Sequence, residues 1–306
     1  MQTPSSSYQV VPSTNPFRRL LQRYPLISYF TLTYMFTWLS WLPYVLSLDG
    51  IGLLPIHLTQ LGILPGAFLG PFFSGFLMTA ALEGKPGVGR LLRRFIPKHI
   101  GWQWYLLAVF GVPIIVTTGF LLQPGAEAEL HPVVPQIFWV FPLALLLQIV
   151  TSGLAEEPGW RGFALPHLQR QCGPVWGSIL LGILWQCWHL PLYLTEWGAG
   201  AGWFEITVAI LGTIGLTVLM TWVFNHTRGN LFIAILLHAS LDAFGMTAAT
   251  SLFSMQWIRQ HDNMALFISF SVVALILIIV TRGRLGYRQQ SLEDVSTSEY
   301  TTSQLK

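Results

Sequence analysis

The residues able to do chemistry in this chain fall into three groups. The first is Gly153-Leu-Ala-Glu156-Glu157-Pro158-Gly159-Trp160-Arg161-Gly162, two adjacent carboxylates and an arginine at the end of a long apolar run. The second is Trp185-Gln-Cys-Trp-His189 and the third His238-Ala-Ser-Leu-Asp242, both within apolar runs. Ionisable groups there cost roughly 2.5–3.5 kcal/mol each at a bilayer centre on insertion scales, so they mark function by default. Of eight histidines, only His189 and His238 fall within the apolar spans. Of thirteen acids, only Asp242 lies well inside one, with Glu156 and Glu157 at an end. A single buried histidine is commonly a packing donor. Two on different helices, met by acids from elsewhere, point to a site.

Spacing assigns roles. Positions i and i+4 share a helix face, which pairs Glu157 with Arg161, Trp185 with His189 and His238 with Asp242. Glu156 points roughly 100° from its neighbour, so Arg161 neutralises Glu157 and leaves Glu156 free to hold or shed a proton. Pro158 cannot donate to a helix and disfavours helical geometry at Glu157. The stretch is therefore expected to kink, or to restart a helix with Pro158 in its first turn. A carboxylate in a low-dielectric site is a usable general base near neutral pH. Glu156 would take a proton from water that His189 orients, while His238 with Asp242 stabilises an oxyanion or protonates a leaving amine. The competing scheme gives Glu156, His189 and His238 to zinc or another divalent metal. There is no H-E-x-x-H and each ligand would come from a different helix, so the metal-free reading is preferred and no cofactor is expected.

The elements that must position these groups are membrane helices. Only 9% of the residues are charged and 53% are hydrophobic, where a soluble domain carries about a quarter charged. The mean hydropathy is +0.56. The fold class is all-α, a polytopic membrane helix bundle with a polar intramembrane cavity, because in lipid each backbone must bond within its own segment. Eight spans are expected, at 25–48, 61–82, 104–122, 137–155, 175–194, 206–224, 231–248 and 264–280. Thirteen tryptophans suit many water–lipid interfaces. Cys172 and Cys187 supply neither a disulfide framework nor a C-x-x-C. With the N-terminus cytoplasmic, all sixteen basic residues except Arg259 fall on the cytoplasmic side, Arg161 included, and the C-terminus is cytoplasmic too.

The chain divides into a disordered N-terminal tail (1–24), N-terminal transmembrane helices (25–129), a core bearing the three groups (130–248), a last span (249–281) and a disordered C-terminal tail (282–306). The N-terminal tail lacks the layout of a signal peptide. Gly62, Gly66 and Gly70 sit four apart and read as a helix-packing face. The basic segment near 85–100 reads as interfacial, its Arg90–Lys98 cluster resting on anionic headgroups, and not as a nucleic-acid site. One difficulty is axial. A span ending at Ala155 puts Glu156 about 18 Å from mid-membrane, where the histidines lie. Convergence then requires a shifted or tilted fourth span, or later helices that begin deeper, around a water-filled cavity open to the cytoplasm.

The order Glu-Glu-x-x-x-Arg (Glu156, Glu157, Arg161), aromatic-x-x-x-His (Trp185, His189) and His-x-x-x-Asp/Asn (His238, Asp242) resembles the CPBP family, which comprises the type II CAAX prenyl endopeptidases and bacterial proteins linked to bacteriocin processing and self-immunity. The resemblance covers Gly153 to Gly245. Trp185 stands where phenylalanine is usual, and Asp242 where the prenyl proteases carry asparagine. The resemblance implies an intramembrane protease, often labelled a metalloprotease. Its catalytic residues would be Glu156, His189, His238 and Asp242, supported by Glu157, Arg161 and Trp185. It also implies a membrane-associated, prenylated substrate and a bacterial plasma membrane. The rival readings are a non-catalytic immunity or binding protein keeping a polar packing network, and a proton-coupled transporter.

Overall fold

The computed structural model describes residues 16–198 and 200–288, and the rest of the two expected tails lies outside them. Pro16–Arg23, at the end of the stretch expected as a tail, forms helix α1. It leads into α2 (Pro25–Leu46), which buries Tyr29, Thr33, Thr37, Trp41 and Tyr44 along one face. There follow α3 (Gln60–Arg93), α4 (Trp102–Leu121) and a long helical run, Ile137–Leu194. The last three helices are α7 (Trp203–His226), α8 (Leu231–Leu252) and α9 (Met255–Val280), α5 and α6 being the two arms of the long run. Among the described residues, α3, α4, the long run and α7 to α9 are the six runs long and apolar enough to cross a membrane. The protein is an integral, polytopic helical bundle.

The long run differs from the expected pair of spans. Helix does not stop at Ala155 but continues as α5 (137–172) before α6 (174–188) turns back. At 1.5 Å per residue α5 is about 54 Å long, well beyond the roughly 30 Å of a hydrocarbon core. Pro158 is carried within it, in a short α-helical stretch, Leu154–Gly159, flanked by wider π turns at Ile149–Gly153 and Trp160–Ala164. Such turns add a residue and loosen the ladder that proline cannot complete. The helix therefore runs on through Pro158 and does not restart there with the proline in its first turn.

Gly173 makes the turn between the arms at φ 78°, a left-handed conformation that costs glycine little, and Pro174 opens α6. A methyl at Gly177 would meet the backbone of Leu168 and Gln169, so the arms run side by side. Glu156 lies seventeen residues before Gly173 and His189 sixteen after it. Both therefore stand about 25 Å from the turn along their own arms, which removes the axial mismatch. Arg161 moves with this correction. It is not a membrane-edge cation but a fully buried one, 0% exposed.

The turn bearing the acids is clamped by backbone on both sides. A Cβ on Gly153 would come 2.8 Å from the Ile235 carbonyl of α8, and one on Gly159 would come 2.3 Å from the Pro71 carbonyl of α3. The Gly62, Gly66 and Gly70 face seats α3 on Tyr44, Trp41 and Thr37 of α2, with Thr37 donating to the Gly66 carbonyl at 2.8 Å. The basic segment after α3 docks on the start of α8. There Leu231 N–H donates to Arg94 O at 2.8 Å, and the Asn230 side chain donates to Ile96 O at 3.0 Å. Gly159→Ala should destabilise the protein by about 1–3 kcal/mol. Gly89→Ala, a helical position with nothing within 4 Å, should be neutral or stabilising by up to about 1 kcal/mol. Denaturant unfolding of both in detergent checks this, and equal tolerance at the two positions would contradict the clamp.

Candidate active site

Two helices bring the acids, the arginine and one histidine together. Glu157 Oε1 accepts from Arg161 Nη1 at 2.8 Å and from His238 Nδ1 at 2.8 Å. Glu157 and Arg161 are fully buried and His238 is 4% exposed. The Glu157–Arg161 pairing expected from spacing is present, whereas the bond from His238 to Glu157 joins α8 to α5 across the bundle. His238 also faces Asp242, its Nε2 3.5 Å from Asp242 Oδ2, a looser contact than the one to Glu157. The Asp242 side chain is one-third exposed.

Glu156, one position away, has different partners. Its Oε2 accepts from Trp160 Nε1 at 3.1 Å and from Trp185 Nε1 at 2.7 Å. No bond from a described residue is made to Oε1. Trp185 is the hinge of the site. It donates to Glu156, carries the Arg161 guanidinium 4.2 Å over its ring and meets the His238 ring edge-on at 5.1 Å. Where phenylalanine would supply only bulk, this tryptophan also supplies a donor. Trp160 was legible as the i+4 partner of Glu156, but only the structure gives it a role.

His189 ends α6, and its Nδ1 bonds the Trp185 carbonyl at 3.1 Å. A carbonyl can only accept, so Nδ1 carries the proton and a neutral ring keeps Nε2 as an acceptor. Trp197 stacks on the ring at 5.4 Å and 3°, and Trp188 meets it edge-on at 4.6 Å. The end of α6 is held by α2, where Tyr34 donates to Leu184 O and Trp38 to Trp188 O. The bond from Trp38 satisfies the Trp188 carbonyl, one of those a helix end leaves orphaned. Trp197 is placed in turn by the neighbouring Glu196 N–H, which donates to Asp49 O at 2.9 Å.

Asp49 lies outside the spans. The His57 ring and the Leu58 N–H hold its carboxyl below the usual range, and the same carboxylate holds His57 above its ordinary value. Stability from Asp49 is present above about pH 3.9 and lost as pH falls through its lowered value. Stability from His57 is present below about pH 6.5 and lost as pH rises through its raised value. Protection of the Leu58 amide from hydrogen exchange should therefore peak between about pH 4 and 6.5, and a flat profile would contradict the pairing.

Among the described residues no three His, Cys, Asp or Glu side chains are grouped to hold an ion. Each histidine commits Nδ1 to a carbonyl or carboxylate and Glu156 commits Oε2 to two indoles, which leaves the two Nε2 atoms and Glu156 Oε1 as the atoms available to water or a ligand. Glu156 and Glu157 are buried, whereas His189 and the Asp242 side chain are partly exposed. Glu157 Oε2 and Arg161 Nε and Nη2 are buried with no hydrogen-bond partner among the described residues. Buried polar atoms of this kind ordinarily bind water.

Fold and site define an integral membrane protein with a buried constellation of two glutamates, an arginine and a histidine. Residues 138–244 match the family model described as type II CAAX prenyl endopeptidase Rce1-like. Over 100 residues the chain is 30% identical to a protein of Methanococcus maripaludis named CAAX prenyl protease 2. That alignment takes in 31% of this chain and 36% of the relative, so the likeness spans about a third of each. The resemblance read from the three motifs thus holds for the segment that carries them, from α5 to Asp242 on α8.

Removing one partner of the buried pair is the sharpest probe of its energetics. Arg161→Met should cost about 3–5 kcal/mol by stranding Glu157, and Glu157→Gln with Arg161→Met should cost less than the sum of the single changes. A double-mutant cycle by urea unfolding in detergent reads this. Additive effects would mean that the ion pair is not coupled.

Proposed function

We propose that the chain is an intramembrane endopeptidase of the CAAX prenyl protease type, acting on a membrane-associated, prenylated protein. The observation that carries this reading is the division of labour between adjacent carboxylates. Glu157 is neutralised by Arg161 and bonded to His238, while Glu156 is gripped through one oxygen by two indole donors. A carboxylate fixed through Oε2 in a buried site keeps Oε1 to act as a general base.

In this scheme Glu156 takes a proton from water as that water's oxygen attacks the scissile carbonyl. His189 accepts a hydrogen bond from the same water through Nε2 and so orients it. His238, turned by Glu157 and faced by Asp242, donates to the oxygen on which negative charge develops. The proton taken by Glu156 passes to the leaving amine as the carbon–nitrogen bond breaks. Arg161 and Glu157 take no proton. They hold α5 and α8 at the spacing the chemistry needs. No step is routed through a metal. Cytoplasmic termini belong to the same proposal and rest on the distribution of basic residues, while a bacterial plasma membrane rests on the resemblance alone.

The test is cleavage of a prenylated reporter peptide by purified protein in detergent or liposomes. Glu156→Gln should lower kcat by about 10²–10⁴-fold with little change in KM, and a chelator should leave the rate unchanged. Unaltered cleavage by Glu156→Gln would overturn the scheme. Loss of activity to the chelator, restored by zinc, would put the metal alternative in its place.

A further inference from the structure

A second feature lies at the basic end of the bundle, away from the acids. A cavity of about 180 Å³ is lined by Arg93, Arg94, Lys98 and Arg228, together with Thr227 and Asn230. No acidic residue lines it. The nearby Glu83 is bonded to Arg90, which is not part of the lining. The positive charge gathered here therefore has no matching carboxylate within the cavity. Burial and the neighbouring Arg170 and Arg90 guanidinium groups hold Arg94 below its ordinary value, although Glu83 opposes this.

The walls are built, not merely crowded. Arg94 Nη1 donates to Gly162 O at 3.1 Å, and Arg94 O accepts from Leu231 N–H. Asn230 caps α8 and ties Ile96 to it. Arg228 is held at φ 57°, a left-handed conformation that a branched-out side chain rarely adopts.

We infer that this cavity binds the phosphate of an anionic phospholipid headgroup. Two observations select a lipid over the substrate peptide. The cavity opens at the end of the bundle where Arg90, Arg93 and Arg94 close α3, the position at which anionic headgroups meet basic side chains. Asn230 on its wall lies eight residues, about 12 Å, before His238 along α8, with Leu231, Ile233 and Ala234 buried between them, so the cavity is a separate feature from the acids. Because Asn230 and Leu231 begin the helix that carries His238 and Asp242, a bound headgroup would pin α8 at its first turn. The inference does not rest on the proposed chemistry.

The experiment uses full-length protein in a neutral detergent and reads Tm, so it needs no substrate. Phosphatidylglycerol should raise Tm saturably by about 2–4 °C, with the effect weakening as salt rises. Phosphatidylcholine should not raise it. The triple change Arg93→Gln, Lys98→Gln and Arg228→Gln should need at least tenfold more phosphatidylglycerol for the same shift. Arg228→Gly relieves the backbone, so it should raise Tm without lipid yet blunt the lipid response, which separates lost binding from lost folding. An equal shift with phosphatidylcholine, or an unchanged response in both variants, would overturn the inference. So would inorganic phosphate matching the lipid at equal concentration, since the site would then be one for free anions.

Discussion

Glu157 Oε1 receives two donors from two different helices, and much of the bundle is arranged so that it can. An unpaired carboxylate in so buried a place would be costly in the extreme, and each partner alone would leave charge poorly compensated. Arg161 comes from the same helix one turn on, while His238 comes from α8. The bond to His238 therefore fixes how α5 and α8 face each other, and the glycine at 153 lets the two backbones come near enough for it. Once Glu157 is committed, helix geometry turns Glu156 toward α6, where Trp185 waits. Adjacent residues of one chemical type thus acquire different partners from a rotation of about 100°.

What could be read from residue order was the set of faces. The i, i+4 rule paired Glu157 with Arg161, His238 with Asp242 and Trp185 with His189, and the structure has all three in contact. It could not say which faces meet. The bonds from His238 to Glu157 and from Trp185 to Glu156 join different helices, and no periodicity along one segment encodes its neighbour. The expected end of the fourth span at Ala155 went wrong for a related reason. Hydropathy falls where two glutamates, a proline, an arginine and glycines cluster, and such a dip ordinarily signals exit into water. Here the charges neutralise one another, so the helix runs on through them.

Part of the site's surroundings comes from outside the stretch that resembles known proteins. Tyr34 and Trp38 of α2 donate to carbonyls near the end of α6, and Pro71 of α3 backs Gly159. The matched segment starts at residue 138. The N-terminal helices thus act as a scaffold for a core whose reactive groups all lie later in the chain.

The turn at Gly173 bears on how the site is assembled. Glu156, Trp160, Trp185 and His189 belong to two arms joined by a single residue, so their meeting closes a loop of only a few dozen residues. Contacts that are near in sequence form early, because little chain entropy opposes them. A hairpin emerging into the bilayer can therefore satisfy the Glu156 carboxylate with its own indoles before α8 has been made. His238 then arrives at a preformed half-site, with Glu157 as the group still short of a partner, and that shortage directs where the incoming helix docks.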